Sequence, residues 1–165
     1  MNSLLSNNTL IKQVEQRLES QISPQVRDAY MRIVVAGMKV AMDKGKDGLM
    51  ASIAQSNNPL NDIVKGTLSI VGALRAKAKG TMPINAMILA GMALVLQGLD
   101  FADRTGVMKV TATEIDQATH LYTETLFSLL KISPSQISSA MKSVDDVRRD
   151  PAKMAKLQEA QNGAA

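Results

Sequence analysis

The twenty residues from Gly80 to Leu99 (GTMPINAMILAGMALVLQGL) contain no charged side chain. A helix with this sequence is apolar around its whole circumference, so it has to be enclosed by other helices or by lipid. Its length is enough for a bilayer. Arg75, Lys77 and Lys79 stand just before it, as basic flanks do on the cytoplasmic side of a span, and Ala86, Ala90, Gly91, Ala93 and Gly98 allow close helix contact. Against lipid, Pro83, Asn85 and Gln97 shorten the strongly apolar part. No second segment is comparable, because the apolar stretch from Gly66 to Leu74 is preceded by Asp62 and Lys65. The run is therefore read as the central helix of an all-α domain, near 83–99, with membrane entry as the alternative.

The rest of the chain supplies helices to surround it. Hydrophobic residues make up 45% of the sequence but aromatics only 2%, a palette of Leu, Ile, Val, Ala and Met that suits helix packing better than sheets. Helix starts are marked by a capping residue followed by proline at Ser23-Pro24, Asn58-Pro59, Ser133-Pro134 and Asp150-Pro151. Thr111-Ala112-Thr113-Glu114 is a capping box. Between these signals the periodicity predicts helices at about 9–21, 24–43, 48–56, 59–79, 83–103, 112–131, 134–146 and 151–161. The expected architecture is a single-domain bundle of seven or eight helices over 1–146, with a polar, basic C-terminal helix or arm over 147–165. Residues 105–110 have the only β character and read as a connector.

Two apolar stripes run along the second helix, Val26, Tyr30, Ile33, Gly37 and Val40 on one and Met31, Val34, Val35, Met38 and Met42 on the next. Only Asp28, Arg32, Lys39 and Asp43 form a polar strip, which predicts cover on two sides. In the helix at 112–131, Ile115, Ala118, Tyr122, Leu126 and Leu129 form one inward stripe opposite Glu114, Gln117 and Glu124. Helices 24–43, 59–79 and 83–99 each carry more apolar surface than one small monomer readily covers, so a homo-oligomer is expected. Met38, Met42, Met87 and Met92 are the expected contacts, because a thioether adapts to an imperfectly complementary partner.

Sites for chemistry are scarce. With no Cys and one His among 165 residues, disulfides, thiolate metal sites and cysteine nucleophiles are excluded. Asp116, His120 and Glu124 form an i, i+4, i+8 row, for which an ordinary polar helix face is the simpler reading than a metal site. Asp43-Lys-Gly-Lys-Asp47-Gly48 begins like a calcium loop but places Gly45 third and Ala54 twelfth, where a bidentate Glu is needed. Phosphate-loop, nucleophile-elbow and dinucleotide fingerprints are absent. The sequence thus predicts no enzyme, no cofactor, no metal ligand and no small-molecule substrate.

A net charge of +4 and a pI near 9.4 favour an acidic surface only mildly. The cations placed to meet one are Arg75, Lys77 and Lys79, and in the tail Arg148, Arg149, Lys153 and Lys156. With so few aromatics for base stacking, any nucleic-acid binding is expected to be non-specific. The stretch Met1-Asn2-Ser3-Leu4-Leu5-Ser6-Asn7-Asn8 lacks the charged and apolar regions of a signal peptide, which predicts cytoplasmic synthesis.

In this overall character, Cys-free, all-helical and rich in Ala, Ser, Gln and Met, the chain resembles the small helical virion and DNA-ejection proteins of tailed bacteriophages. The resemblance implies a homo-oligomeric virion component among other structural proteins, one that can leave the particle and meet the host envelope. Two other function classes fit the sequence. A holin-like or pore-forming protein would use 80–99, and a helical regulator would bind DNA or a protein.

Overall fold

The structure, a computed structural model, describes residues 8–43, 48–133 and 135. These residues form six helices and no strand: α1 (Thr9–Ser20), α2 (Pro24–Ala41), α3 (Leu49–Ala54), α4 (Pro59–Lys77), α5 (Ile84–Arg104) and α6 (Ala112–Leu130). The all-α class and six of the expected helices are present. The expected helices at 134–146 and 151–161, the basic tail and residues 44–47 of the Asp43–Gly48 loop lie outside the described residues.

Local chemistry accounts for the helix ends. Pro24 and Pro59 occupy the first turns of α2 and α4, where a missing N–H leaves no hydrogen bond unmade. The capping box of α6 is complete: the Thr111 hydroxyl accepts from the Thr113 amide at 3.3 Å, and the Glu114 carboxylate accepts from the Thr111 amide at 2.9 Å. Pro83 is the N-cap of α5 rather than its first helical residue, so α5 starts at Ile84. After α4 and α6 the chain turns through left-handed residues, Lys79 at φ 52° and Lys131 at φ 50°. The amides of Gly80 and Ile132 then reach back to the carbonyls of Arg75 and Phe127, at 3.1 and 3.5 Å, closing two Schellman-type ends.

Asn8 caps α1 and also ties the chain's first helix to its middle. Its Oδ1 accepts from the backbone amides of Leu10 and Ile11 at 3.0 and 3.3 Å, while its Nδ2 donates to the Val110 carbonyl at 3.1 Å and to Asp103 at 3.2 Å. Asp103 in turn accepts from the Val110 amide at 2.9 Å. Residues 105–110 are the expected connector, held against α1 and the end of α5 by this node.

The charge-free run forms the centre. Of the 21 residues of α5, 15 are buried, and α2 covers it most extensively, followed by α4 and α6, with α1 and α3 adding the remainder. Fully burying a Leu, Ile or Met contributes about 1.5–3 kcal/mol, so this helix dominates the hydrophobic driving force. Its small residues serve close approach. A Cβ at Gly37 of α2 would lie 2.6 Å from Leu94 Cδ1, and one at Gly98 would lie 2.8 Å from Ile63 Cγ2. Asp100, which follows the run, is also buried and is balanced by Arg104 one turn on, at 2.8 Å.

Candidate functional site

The features a partner could use are on the outside of this packing, and the first is the outer flank of α2. Tyr30, Ile33, Val34, Gly37 and Ala41 face the core, whereas Val35 is 57% exposed and Met42 64% exposed. The expectation that α2 is covered on two sides is therefore corrected: both stripes are only partly covered, the first open at Val40 and the second at Val35 and Met42. Met31 and Met38, both half-buried, fall on the same line as Val35 and Met42, so the four recur at spacings of 4, 3 and 4 residues. That alternation is the repeat by which one helix presents a seam to another. Val40, also exposed, lies on the opposite flank and is not part of the seam.

The four methionines named from sequence divide. Met38 and Met42 belong to the seam. Met87 and Met92 are 1% and 0% exposed, inside α5, so they are core residues and not surface contacts. Among the described residues the other five helices pack around α5, and the exposed large apolar side chains are Val35, Val40 and Met42 on or at the end of α2 and Leu129 on α6. Among the described residues α5 is the one helix long and apolar enough to cross a membrane, and its sides are already occupied by protein.

The basic trio before α5 is also divided, since Arg75 and Lys77, two apart on α4, point to different sides and Lys79 follows in the left-handed turn after the helix. Arg75 and Lys79 stand at a groove of about 470 Å³ between α4 and α6, whose apolar walls are Leu68, Val71, Met87, Leu126, Leu129 and Leu130. Lys77 lines a second groove, of about 570 Å³, between α2 and the turn after α4, together with Asp28 and Arg32. The tail cations Arg148, Arg149, Lys153 and Lys156 lie outside the described residues.

His120 pairs with Glu124, Nε2 to Oε1 at 2.8 Å, on the outer side of α6. Among the described residues no three His, Asp or Glu side chains come together in a way that could hold a metal ion. Tyr122 and Tyr30 are buried, which pushes both hydroxyls up, Tyr30 to about 12 with Glu19 and Glu15 adding to the effect of burial. Tyr122 donates to the Met87 carbonyl at 2.9 Å and thereby serves packing.

Three features carry little or no signal in the sequence. Asn8 as a double-ended tie had only its capping identity as a signal. Asp100 was signalled by its position just after the uncharged run with Arg104 four residues on. The α4–α6 groove had no local signal, because its two walls are far apart in the chain. No protein-family model, curated protein or solved structure matches the chain.

Proposed function

We propose that this protein is a non-enzymatic assembly subunit that associates with copies of itself through the outer face of α2 and works as a homo-oligomer within a larger complex. The observation that carries this reading is the seam of Met31, Val35, Met38 and Met42, with Val35 and Met42 more than half exposed. Large apolar side chains at heptad-like spacing gain free energy when a like helix covers them, and two copies can do so across a twofold axis, where each side meets its own equivalent. Met38 and Met42 supply side chains that fit such a seam without exact complementarity. Arg32 and Lys39, exposed alongside, form its polar border. The character that the sequence shares with virion and ejection proteins of tailed phages makes a virion the assembly of choice, with other structural proteins as the further partners.

Cysteine scanning tests the seam directly, because the chain has no Cys of its own. Val35→Cys and Met42→Cys are expected to give covalent dimers with a short bifunctional maleimide at low protein concentration. Lys65→Cys, exposed on α4, is expected not to. Equal cross-linking at all three positions would mean random collision and would count against the seam.

A further inference from the structure

The groove between α4 and α6 has the composition of a site for an anionic amphiphile. Its accessible lining is apolar, from the half-buried Leu68 on α4 to Leu130 and the 65% exposed Leu129 on α6, over a floor of the buried Val71 and Leu126. Gly72 and Gly80 leave the space between the helices open, since a Cβ at either would meet nothing within 4 Å. Among the described residues that line the groove, Arg75 and Lys79 provide charge of a single sign and there is no carboxylate. Among the described residues neither cation forms an ion pair or hydrogen bond with its side chain, and Arg75 Nε is buried without an acceptor. Buried donors are nearly always satisfied, so an unmet guanidinium N–H beside an apolar trough is a position where an acceptor is missing.

We propose that this groove binds a long-chain carboxylate, with the alkyl chain along Leu68, Leu129 and Leu130 and the carboxylate between Arg75 and Lys79. The volume of about 470 Å³ falls within the range of small-molecule sites, which are mostly apolar with a few polar groups fixing orientation. A planar guanidinium matches a carboxylate by paired N–H donors, and the half-buried setting strengthens the pairing relative to open water. A folded protein partner would need a far larger complementary area, about 800 Å² on each side, than a trough of this size offers. The ligand is held and not transformed.

The test is calorimetric titration of the full chain with palmitate below its aggregation concentration, paired with Leu129→Trp, which places the sole tryptophan of the chain at the rim as a fluorescence reporter. Saturable one-to-one binding is expected, together with a blue shift of the indole emission. Arg75→Glu combined with Lys79→Glu should weaken binding at least about tenfold, about 1.4 kcal/mol. Lys77→Glu, in the other groove, should leave it unchanged. Leu129→Asp, at a position that is 65% exposed, should also weaken it, which keeps the test valid if the double charge reversal fails to fold. Hexadecanol, with the same chain and no charge, should bind at least about tenfold less tightly. Absence of saturable palmitate binding would overturn the proposal. So would equal loss with Lys77→Glu, or binding to phosphatidylglycerol vesicles alone, which would indicate surface adsorption. Because the α2 seam lies elsewhere, cross-linking at Val35 and Met42 reports separately on self-association.

Discussion

The hydroxyl of Tyr122 occupies the space that a side chain at position 91 would need: a Cβ built on Gly91 would lie 1.7 Å from Oη and 2.0 Å from Cζ. Tyr122 thus enters the surface of α5 and donates to the Met87 carbonyl at 2.9 Å, fixing the approach of α6 to the central helix. Gly91→Ala is expected to destabilise by about 3 kcal/mol or more, because both helices must move apart. Tyr122→Phe should cost only about 1 kcal/mol, the net contribution of one hydrogen bond. The combination should remain as unstable as Gly91→Ala, since the ring itself still collides. Urea unfolding of the three variants checks the order, and a Gly91→Ala protein as stable as the parent would contradict the packing.

The two tyrosines predict an alkaline limit. Both hydroxyls have raised pKa values, Tyr30 up to about 12 from 10.0. A group that is harder to ionise in the folded state contributes stability that is present below its unfolded pKa and is lost as pH rises toward the folded one. Stability should therefore fall above about pH 10, the unfolded value. The tyrosinate absorbance should rise together with loss of helical circular dichroism, because Tyr30 and Tyr122 are the only tyrosines. Tyrosinate appearing near the unfolded value with helicity intact would show them to be accessible.

At the acid end, the Thr111 hydroxyl and backbone hold the Glu114 carboxyl below the usual value of 4.5. A depressed pKa gives stability that is present above the unfolded value and is lost as pH falls through the folded one. The melting temperature of the parent should drop below pH 4.5 more steeply than that of Glu114→Gln, with the difference between them largest at neutral pH. Parallel melting curves across this range would show that the Glu114 carboxylate does not stabilise the start of α6.

Lys131 ends α6 at φ 50°, a conformation that glycine adopts without the Cβ penalty. Lys131→Gly is expected to raise stability by about 1 kcal/mol, the penalty relieved at a left-handed position. Thermal unfolding is the check, and a lower melting temperature would mean that the lysine side chain contributes more than its backbone costs.

Those parts of the fold set by local chemistry were legible. Pro24, Pro59 and the Thr111–Glu114 box mark their helices within a residue or two, because caps and proline act on the nearest turn. The central position of α5 followed from twenty residues without charge, since only enclosure satisfies them. What depends on long-range pairing was not legible. Both stripes of α2 are equally apolar, and periodicity cannot say which faces α5, so Val35 and Met42 were not separable from Val34 and Ile33. Residue type points Met87 and Met92 toward a partner, yet position on α5 decides their burial. Arg75 and Lys77 read as one basic cluster because sequence does not show α6 rising on one side of α4 only.

Self-association through α2 sets the mass of the protein in solution, which light scattering coupled to size exclusion reads without a label. The parent should elute with the mass of two or more chains of 17.7 kDa at micromolar concentration, while a Val35→Asp, Met42→Asp variant should elute as a monomer with unchanged helical content. A parent that stays monomeric at high micromolar concentration, or a variant whose mass equals the parent's oligomer, would contradict it.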